Sequence, residues 1–314
     1  MRIALIGQAA FGKDVLDALV QNKEDVVAVL CPPDREGRPL DPVKETAANH
    51  NISVYQYARM RNQEAIDEFI SLNVDLCVMA FVTDIVPTEI LEAPTHGTIQ
   101  YHPSLLPEHR GPSSINWPII EGKPKTGITI FWPDEGLDTG PILLQKETDI
   151  EADDTLGSVY FGRLYPMGVE AMVEAIQMVK KGGAPRIEQD HRKATYEGWC
   201  RSENTVIDWS SSLGEIYNLI RGSDPSPGAN TRLGNDTVAF FKTSISKSGE
   251  PTELPAGTVT ATNSESFTVC ANGGSLSIGR VQVNREPKLM AAEIIESGRI
   301  KVGDQFVSQK TDRL

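Results

Sequence analysis

The residues best suited to chemistry lie in QYHPSLLPEHRGP, which covers positions 100–112 and holds two of the chain's five histidines. Proline fixes its own φ and restricts the residue before it, so the prolines of this segment preset the geometry beside the imidazole of His102. A second segment, PDEGLDTGPILLQ, carries Asp134, Glu135 and Asp138 between glycines. A histidine and one of these carboxylates would form an acid–base or electrostatic pair.

Each of these residues also has a structural interpretation. A lone histidine packs in a core about as readily as it reacts, and an Asp-Thr-Gly sequence at Asp138 is equally consistent with a turn. The position of His102 favours chemistry, because it directly follows the predicted strand THGTIQYH, and α/β proteins bind ligands at the carboxyl ends of parallel strands. The next predicted strand, 127–132, leads into the Asp138 segment, so two adjacent strand ends are expected to bring the pair together. His109 is interpreted as structural.

The elements that position these residues begin with IALIG, a helical pattern in FGKDVLDALVQN, and VVAVLC. Strand, helix and strand within about thirty residues predict a βαβ unit and a parallel sheet. The segments AIDEFISLN and DLCVMAF predict another helix and buried strand. A long amphipathic helix is expected from Asp154 to Gly182, with Val173 and Ile176 among its inward residues and a cap at 153–155.

The pattern changes after about residue 200. Short β-type segments such as TVAFFKT, GTVTAT, SFTVCAN and SLSIGRVQV alternate with Gly, Ser, Asn and Pro, which predicts a small all-β barrel or sandwich. The sequence therefore predicts an α/β protein with a parallel-sheet domain at 1–203, a smaller β domain at 204–314, and a linker near 183–205.

The first loop, GQAAFGKD, nearly matches the phosphate-binding pattern G-x-x-x-x-G-K-[ST]. Asp14 stands where that pattern needs a hydroxyl, and its carboxylate would repel phosphate. The loop is not G-x-G-x-x-G either, so nothing specific supports a dinucleotide site. Gly7 and Gly12 are interpreted as allowing a tight strand-to-helix turn.

Composition narrows the functional classes. The formal net charge is −13 and the basic residues are dispersed, which disfavours nucleic-acid binding because such binding relies on clustered Lys and Arg. No apolar run is long enough to span a bilayer, so a cytoplasmic protein without membrane contact is expected. The four cysteines are scattered singly and no histidine stands at ligand spacing, which argues against a disulfide framework and a structural zinc site.

Several segments together resemble the 10-formyltetrahydrofolate-dependent formyltransferase family. They are MRIALIGQAAFG, YHPSLLPEHRG, SSINW, IFWPDEGLDTGPILLQKE, ATYEG and LIRGSDPSPGA, in this order. The family includes methionyl-tRNA and glycinamide ribonucleotide formyltransferases, and the similarity is greatest to the hydrolase domain of 10-formyltetrahydrofolate dehydrogenase. The resemblance covers essentially the whole chain. It implies a Rossmann-like N-terminal domain that carries the active site and an OB-like β-barrel at the C-terminus.

The resemblance also implies roles for individual residues. His102 matches the catalytic histidine and Asp138 the catalytic aspartate, while Gln100 stands where the family usually has asparagine. The resemblance implies an oxyanion on the formyl oxygen that His102 stabilises, with Gln100 as a second donor and Asp138 as proton relay; no metal is required. Arg110 and Gly111 are interpreted as positioning the loop, with a surface ion pair of Arg110 as the alternative. The residues implied for binding the folate are Met79, Phe81, Val82, Ile85, Leu105, Leu106, Pro133, Gly136 and Asp138.

The acceptor is less well determined. Transfer from 10-formyltetrahydrofolate to a small-molecule amine is preferred, because an unregulated hydrolase would drain the folate pool. Water as acceptor, with release of formate, is the main alternative. Methionyl-tRNA as acceptor conflicts with the acidic charge, and a folate-binding module that lost catalysis through Gln100 is the alternative outside enzymes. The sequence does not indicate the oligomeric state.

Overall fold

The structure is a computed structural model that describes residues 1–249 and 254–308. The chain divides into two compact units. Unit 1 comprises Met1–Gly111, Gly127–Thr148 and Phe161–Tyr196, and unit 2 comprises Pro112–Thr126, Asp149–Tyr160 and the chain from Glu197 onward. The predicted boundary at residue 203 stays a prediction. No helix within the described residues has the length and apolar character needed to cross a membrane.

Unit 1 is built on a seven-stranded sheet. Its strands are β1 (Arg2–Gly7), β2 (Asp25–Cys31), β3 (Ser53–Gln56), β4 (Leu76–Ala80), β5 (Thr98–His102), β6 (Lys125–Phe131) and β7 (Ile142–Asp149). Their order is β3-β2-β1-β4-β5-β6-β7, and β1 to β5 pair in parallel. All five residues of β4 are buried, as expected for a parallel sheet covered on both faces. The predicted Rossmann-like sheet is confirmed, since its first five strands have the order 3-2-1-4-5.

The prediction that the carboxyl ends of β5 and β6 lie side by side and so bring His102 and Asp138 together is wrong. β6 runs antiparallel to β5, with Gln100 opposite Phe131 and His102 opposite Thr129. The carboxyl end of β6 therefore lies beside Gln100, and the loop between β6 and β7 has to carry Asp138 back to the carboxyl end of β5. Sequence periodicity shows that a strand exists, but it does not reveal its direction.

Seven α-helices precede the C-terminal sheet up to residue 180. They are α1 (Ala9–Gln21), α2 (Pro42–Asn49), α3 (Gln63–Ser71), α4 (Thr88–Glu92), α5 (Asn116–Ile120), α6 (Leu156–Val159) and α7 (Tyr165–Lys180). The long helix predicted from residue 154 is present as α6 and α7, joined by a π-helical turn over Tyr160–Leu164. Thr155 caps it in a capping box with Ser158. Ile176 is buried as predicted, whereas Val173 is only half-buried.

The first loop is a tight turn, as the sequence predicts. A Cβ on Gly7 would lie 2.7 Å from the carbonyl oxygen of Ala80, and a Cβ on Gly12 would lie 3.2 Å from the carbonyl carbon of Gly7. Although burial opposes it, hydrogen bonds from Tyr165 and Lys13 hold the pKa of the Asp14 carboxyl below its usual range. The loop therefore presents an ionised carboxylate and is unsuited to phosphate.

Unit 2 contains an antiparallel sheet of order β10-β11-β12-β9-β8, with β13 paired to β12. Besides α5 and α6, its α-helices and strands are α8 (Leu213–Gly222), β8 (Ala229–Leu233), β9 (Asp236–Ser248), β10 (Val259–Thr262), β11 (Phe267–Ala271), β12 (Gly274–Val283), β13 (Leu289–Met290) and α9 (Ala291–Glu296). The segment 304–307 joins the two edge strands: Arg232 pairs with Val307, and Thr258 pairs with Gln305. Because one segment bridges both edges, the sheet closes on itself, which supports the predicted barrel.

Candidate active site

His102 is the last residue of β5 and is 5% exposed. Its Nδ1 lies 3.6 Å from Oδ2 of Asp138, and its Nε2 lies 2.9 Å from the carbonyl oxygen of His109. A carbonyl oxygen can only accept, so Nε2 carries a hydrogen and donates it. The imidazole is thus held from both sides, by a carboxylate and by a backbone carbonyl.

Asp138 reaches this position through the loop between β6 and β7. Its side chain is 7% exposed, and Oδ2 accepts a hydrogen bond of 2.9 Å from the backbone N–H of Gly111. The structure therefore brings together the two residues singled out in the sequence, although by a route other than adjacent strand ends. Their catalytic roles stay predictions.

Gln100 precedes His102 by two residues on β5, so the two side chains point to the same face of the sheet. Gln100 is half-buried, and no described residue hydrogen-bonds its side chain. Its amide is consequently available to a ligand on the face that carries His102.

Two non-glycine residues next to His102, His109 and Asp138, have backbone in the left-handed region, as does Phe81, which directly follows β4. The φ angles are 60° at Phe81, 55° at His109 and 56° at Asp138. Such a conformation costs roughly 1–2 kcal/mol for an L-residue and persists where surrounding contacts enforce it. Strain of this kind concentrates at functional sites, and here it occurs at the carboxylate and at the carbonyl that contact His102.

The residues implied for folate binding differ in how much of each side chain is accessible to a ligand. Met79 and Leu106 are 3% and 2% exposed, so their side chains belong to the core. The Leu106 backbone is also engaged, since its N–H donates to Thr129 and its carbonyl accepts from Gln145. The residues with accessible surface are Phe81 (47% exposed), Ile85 (77% exposed), half-buried Val82, Leu105 and Pro133, and exposed Gly136.

Arg110 is buried, at 2% exposure, so the surface ion pair considered for it does not apply. Its Nε and Nη2 donate to Oε1 of Gln189, at 3.2 and 2.6 Å. Further hydrogen bonds join the guanidinium to Tyr196 and His191. Gln189, itself 5% exposed, donates to the carbonyl oxygens of Asp138 and Gly140 at 3.0 and 2.7 Å. Sequence reasoning missed Gln189 because it lies in the segment interpreted as a linker.

A cleft of about 390 Å³ opens in unit 1 at the carboxyl ends of β1, β2 and β4. Its lining includes Gln8, Arg35, Tyr57, Arg59 and Phe81. Its lining follows the carboxyl ends of β1 to β4 and so includes the point between β1 and β4 where the strand order reverses, which is where open α/β sheets bind ligands. His102, Asp138 and Gln100 do not line it. Cys31 also lines it, but burial raises the pKa of this thiol to about 11, so it is protonated at neutral pH and is no nucleophile.

A Rossmann-like unit with a buried histidine–carboxylate pair at the carboxyl edge of its sheet has the form of an α/β enzyme. The comparisons with known proteins identify which kind. Residues 1–176 match the family described as formyl transferase, and residues 200–299 match the formyl transferase C-terminal domain. The chain belongs to the formyl transferase family.

Two relatives and one solved structure illustrate this membership. Cytosolic 10-formyltetrahydrofolate dehydrogenase of Xenopus tropicalis is 40% identical over 81% of this chain, which spans only 29% of that protein. Methionyl-tRNA formyltransferase of Clostridioides difficile (strain 630) is 33% identical over 96% of this chain and 99% of its own. An N-formyltransferase of Helicobacter canadensis, solved with folinic acid and dTDP-3-aminofucose, has a TM-score of 0.64 and 18% identity, covering 88% of this chain and 98% of its own. At that identity the likeness concerns the fold.

Proposed function

We propose that this protein takes the formyl group from 10-formyltetrahydrofolate and transfers it to a small-molecule amine at the His102–Asp138 pair. The observation that carries the proposal is the buried pair itself, with 3.6 Å between Nδ1 and Oδ2, at the end of β5. Membership of the formyl transferase family supports the reaction type. The dehydrogenase relatives carry 10-formyltetrahydrofolate in their name, which supports the donor.

In the proposed reaction the amine nitrogen attacks the formyl carbon, and the bond from that carbon to N10 of the folate breaks. The attacking nitrogen loses a proton and N10 gains one. Negative charge grows on the formyl oxygen, and a preorganised donor there is worth about 3–4 kcal/mol. His102 supplies that donor through its Nε2–H, which the substrate oxygen shares with the His109 carbonyl, and Gln100 supplies a second donor from the same face of β5.

Asp138 has two proposed tasks. Its carboxylate faces Nδ1 of His102 and keeps the imidazole oriented as a donor. It also relays the proton from the attacking amine to N10, directly or through one water. The Gly111 hydrogen bond to Oδ2 leaves the other carboxylate oxygen for this exchange.

The folate slot is proposed to lie against the accessible apolar residues of the predicted set. Phe81, at 47% exposure, offers a ring face, and Ile85, at 77% exposure, offers further apolar surface. Apolar walls with a few polar groups are the usual form of a small-molecule site. Met79 and Leu106 support this slot from the core without contacting the ligand through exposed side chains.

Among acceptors, a small amine fits better than tRNA. The formal charge of −13 opposes binding of a polyanion. The Helicobacter canadensis N-formyltransferase was solved with an amino-sugar nucleotide, which makes amino sugars a first class of amine to test. The proposed compartment is the cytoplasm, in keeping with the name of the Xenopus tropicalis relative.

Hydrolysis, with water as acceptor, is the second candidate. It is favoured by Gln100, whose side-chain amide has no hydrogen-bond partner among the described residues and could hold a water near the formyl carbon. The dehydrogenase relative of Xenopus tropicalis, 40% identical over 81% of this chain, also favours it.

The experiment follows the formyl carbon. The protein is incubated with 10-formyltetrahydrofolate labelled with ¹³C at the formyl group, with and without a pool of amino sugars and amino acids. Label in an N-formyl product supports transfer, and label only in formate supports hydrolysis. If tetrahydrofolate is not released under either condition, the proposed function is wrong.

A further inference from the structure

We infer that Arg110 and Gln189 form a buried positioning pair that holds Asp138 in its strained backbone conformation. This inference rests on the proposed function, because it assigns a purpose to the geometry of the same site. Neither residue touches the substrate in the proposed reaction; both act through Asp138.

The backbone segment 109–111 links His102 to Asp138. Its two ends contact the two proposed catalytic side chains: the carbonyl of His109 accepts from His102, and the N–H of Gly111 donates to Asp138. The side chain between these two contacts is Arg110, one of the largest fully buried side chains of the protein. An anchor on Arg110 therefore fixes both contacts at once.

Arg110 is anchored on the side chain of Gln189. Two of its nitrogens converge on Oε1 of Gln189, which fixes the orientation of that amide because Oε1 is its only acceptor. The Nε2 group must then point the other way, and it donates to the carbonyl oxygens of Asp138 and Gly140. Arg110 thus decides which end of the Gln189 amide faces the loop of Asp138.

The backbone of Asp138 is strained. A φ of 56° is unfavourable for aspartate relative to glycine, and it persists only if neighbouring bonds enforce it. Gln189 provides two such bonds on the main chain, and Gly111 provides one on the side chain. Without the Gln189 amide, the turn can relax and move the carboxylate away from His102.

The informative substitution is Gln189→Glu. It keeps an oxygen acceptor for Arg110 and adds an ion pair, but it replaces the donor to both carbonyls by an acceptor. We expect kcat for release of tetrahydrofolate to fall about 100-fold, the loss that a misplaced catalytic group can cause. The KM for 10-formyltetrahydrofolate should change less than kcat, because the exposed apolar residues of the slot, Phe81 and Ile85, lie outside the loop of Asp138. A circular dichroism spectrum like that of the wild type shows that the variant folds.

Arg192→Lys is the matched control from the same segment. Arg192 is 89% exposed and pairs with Asp190 on the surface, so its replacement should leave kcat unchanged. A double variant tests whether Gln189 acts through Asp138. If it does, adding Gln189→Glu to Asp138→Asn lowers kcat by less than about twofold, since coupled residues are not additive.

Two failures are distinguishable. If the wild type releases no tetrahydrofolate, the proposed function is wrong, and crystal structures of wild type and Gln189→Glu then decide the positioning role: Asp138 should leave the left-handed region in the variant. If the wild type is active but Gln189→Glu keeps full kcat, or its loss adds fully to that of Asp138→Asn, the positioning role is overturned.

Discussion

At the scale of residues, the sequence predicts which side chains react, and the structure adds how they are held. His102, Asp138 and Gln100 follow from the two polar segments and the resemblance to a family. The donation from His102 to the His109 carbonyl, at 2.9 Å, does not. It depends on a left-handed φ at a non-glycine residue, and single-sequence patterns do not signal such a conformation.

Gln100 is where the choice between amine and water is expected to be made. Gln100→Asn shortens the side chain by one methylene and withdraws the amide from the reacting carbon. We expect the ratio of N-formyl product to formate to rise by about tenfold, corresponding to about 1.4 kcal/mol. The ratio is measured with labelled 10-formyltetrahydrofolate and a fixed amine, and Gln177→Asn, on the distant helix α7, serves as control. An unchanged ratio would show that Gln100 does not select the acceptor.

At the scale of elements, the strands of unit 1 were largely predictable because their apolar, β-branched runs are buried in a parallel sheet. β8 was missed because its sequence, ANTRL, is short and mostly polar, and only its pairing with β9 makes it a strand. α8 could have been found: Ser212 and Glu215 form a capping box ahead of Ile216 and Ile220. The antiparallel direction of β6 had no local signal.

The loop between β6 and β7 allows no added atom at Gly140. A Cβ there would lie 1.8 Å from the carbonyl oxygen of Trp132, so Gly140→Ala must displace the loop that carries Asp138. We expect a loss of about 1–3 kcal/mol in the free energy of unfolding together with a large loss of turnover, measured by urea denaturation and tetrahydrofolate release. Gly183→Ala is the control, because its Cβ would meet nothing within 4 Å. Equal stability of the two variants would contradict the described loop geometry.

At the scale of the whole molecule, the structure has the predicted division into a parallel-sheet unit and a closed antiparallel unit. The boundaries of the units were not predictable in the same way, because segments 112–126 and 149–160 belong with the C-terminal unit. Local patterns identify elements, whereas membership of a unit depends on contacts between segments distant in sequence.

Buried acidic protons make the protein sensitive to alkali. Burial raises the pKa of the Cys77 thiol from 9.0 to about 12 and that of the Tyr217 hydroxyl from 10.0 to about 12. Above pH 9 the unfolded chain loses protons that the folded chain retains, so unfolding becomes more favourable as pH rises. Below pH 9 these two groups should not change the free energy of unfolding. Above pH 9 each of them should lower it by up to about 1.4 kcal/mol per pH unit.

Urea denaturation between pH 7 and 11 measures this effect. Cys77→Ala should lessen the fall between pH 9 and 11 relative to the wild type, because it removes one of the titrating groups. A free energy of unfolding that stays level to pH 11 would contradict the described burial.

The central claim is that His102 and Asp138 together release the formyl group of 10-formyltetrahydrofolate. The most direct test is the rate of tetrahydrofolate release by wild type, His102→Ala and Asp138→Asn, followed by absorbance at saturating donor with the preferred acceptor. We predict measurable turnover by the wild type and a fall of about 100- to 1,000-fold in each variant, the usual loss on removing a transition-state donor. Full turnover by either variant, with its fold intact by circular dichroism, would contradict the account.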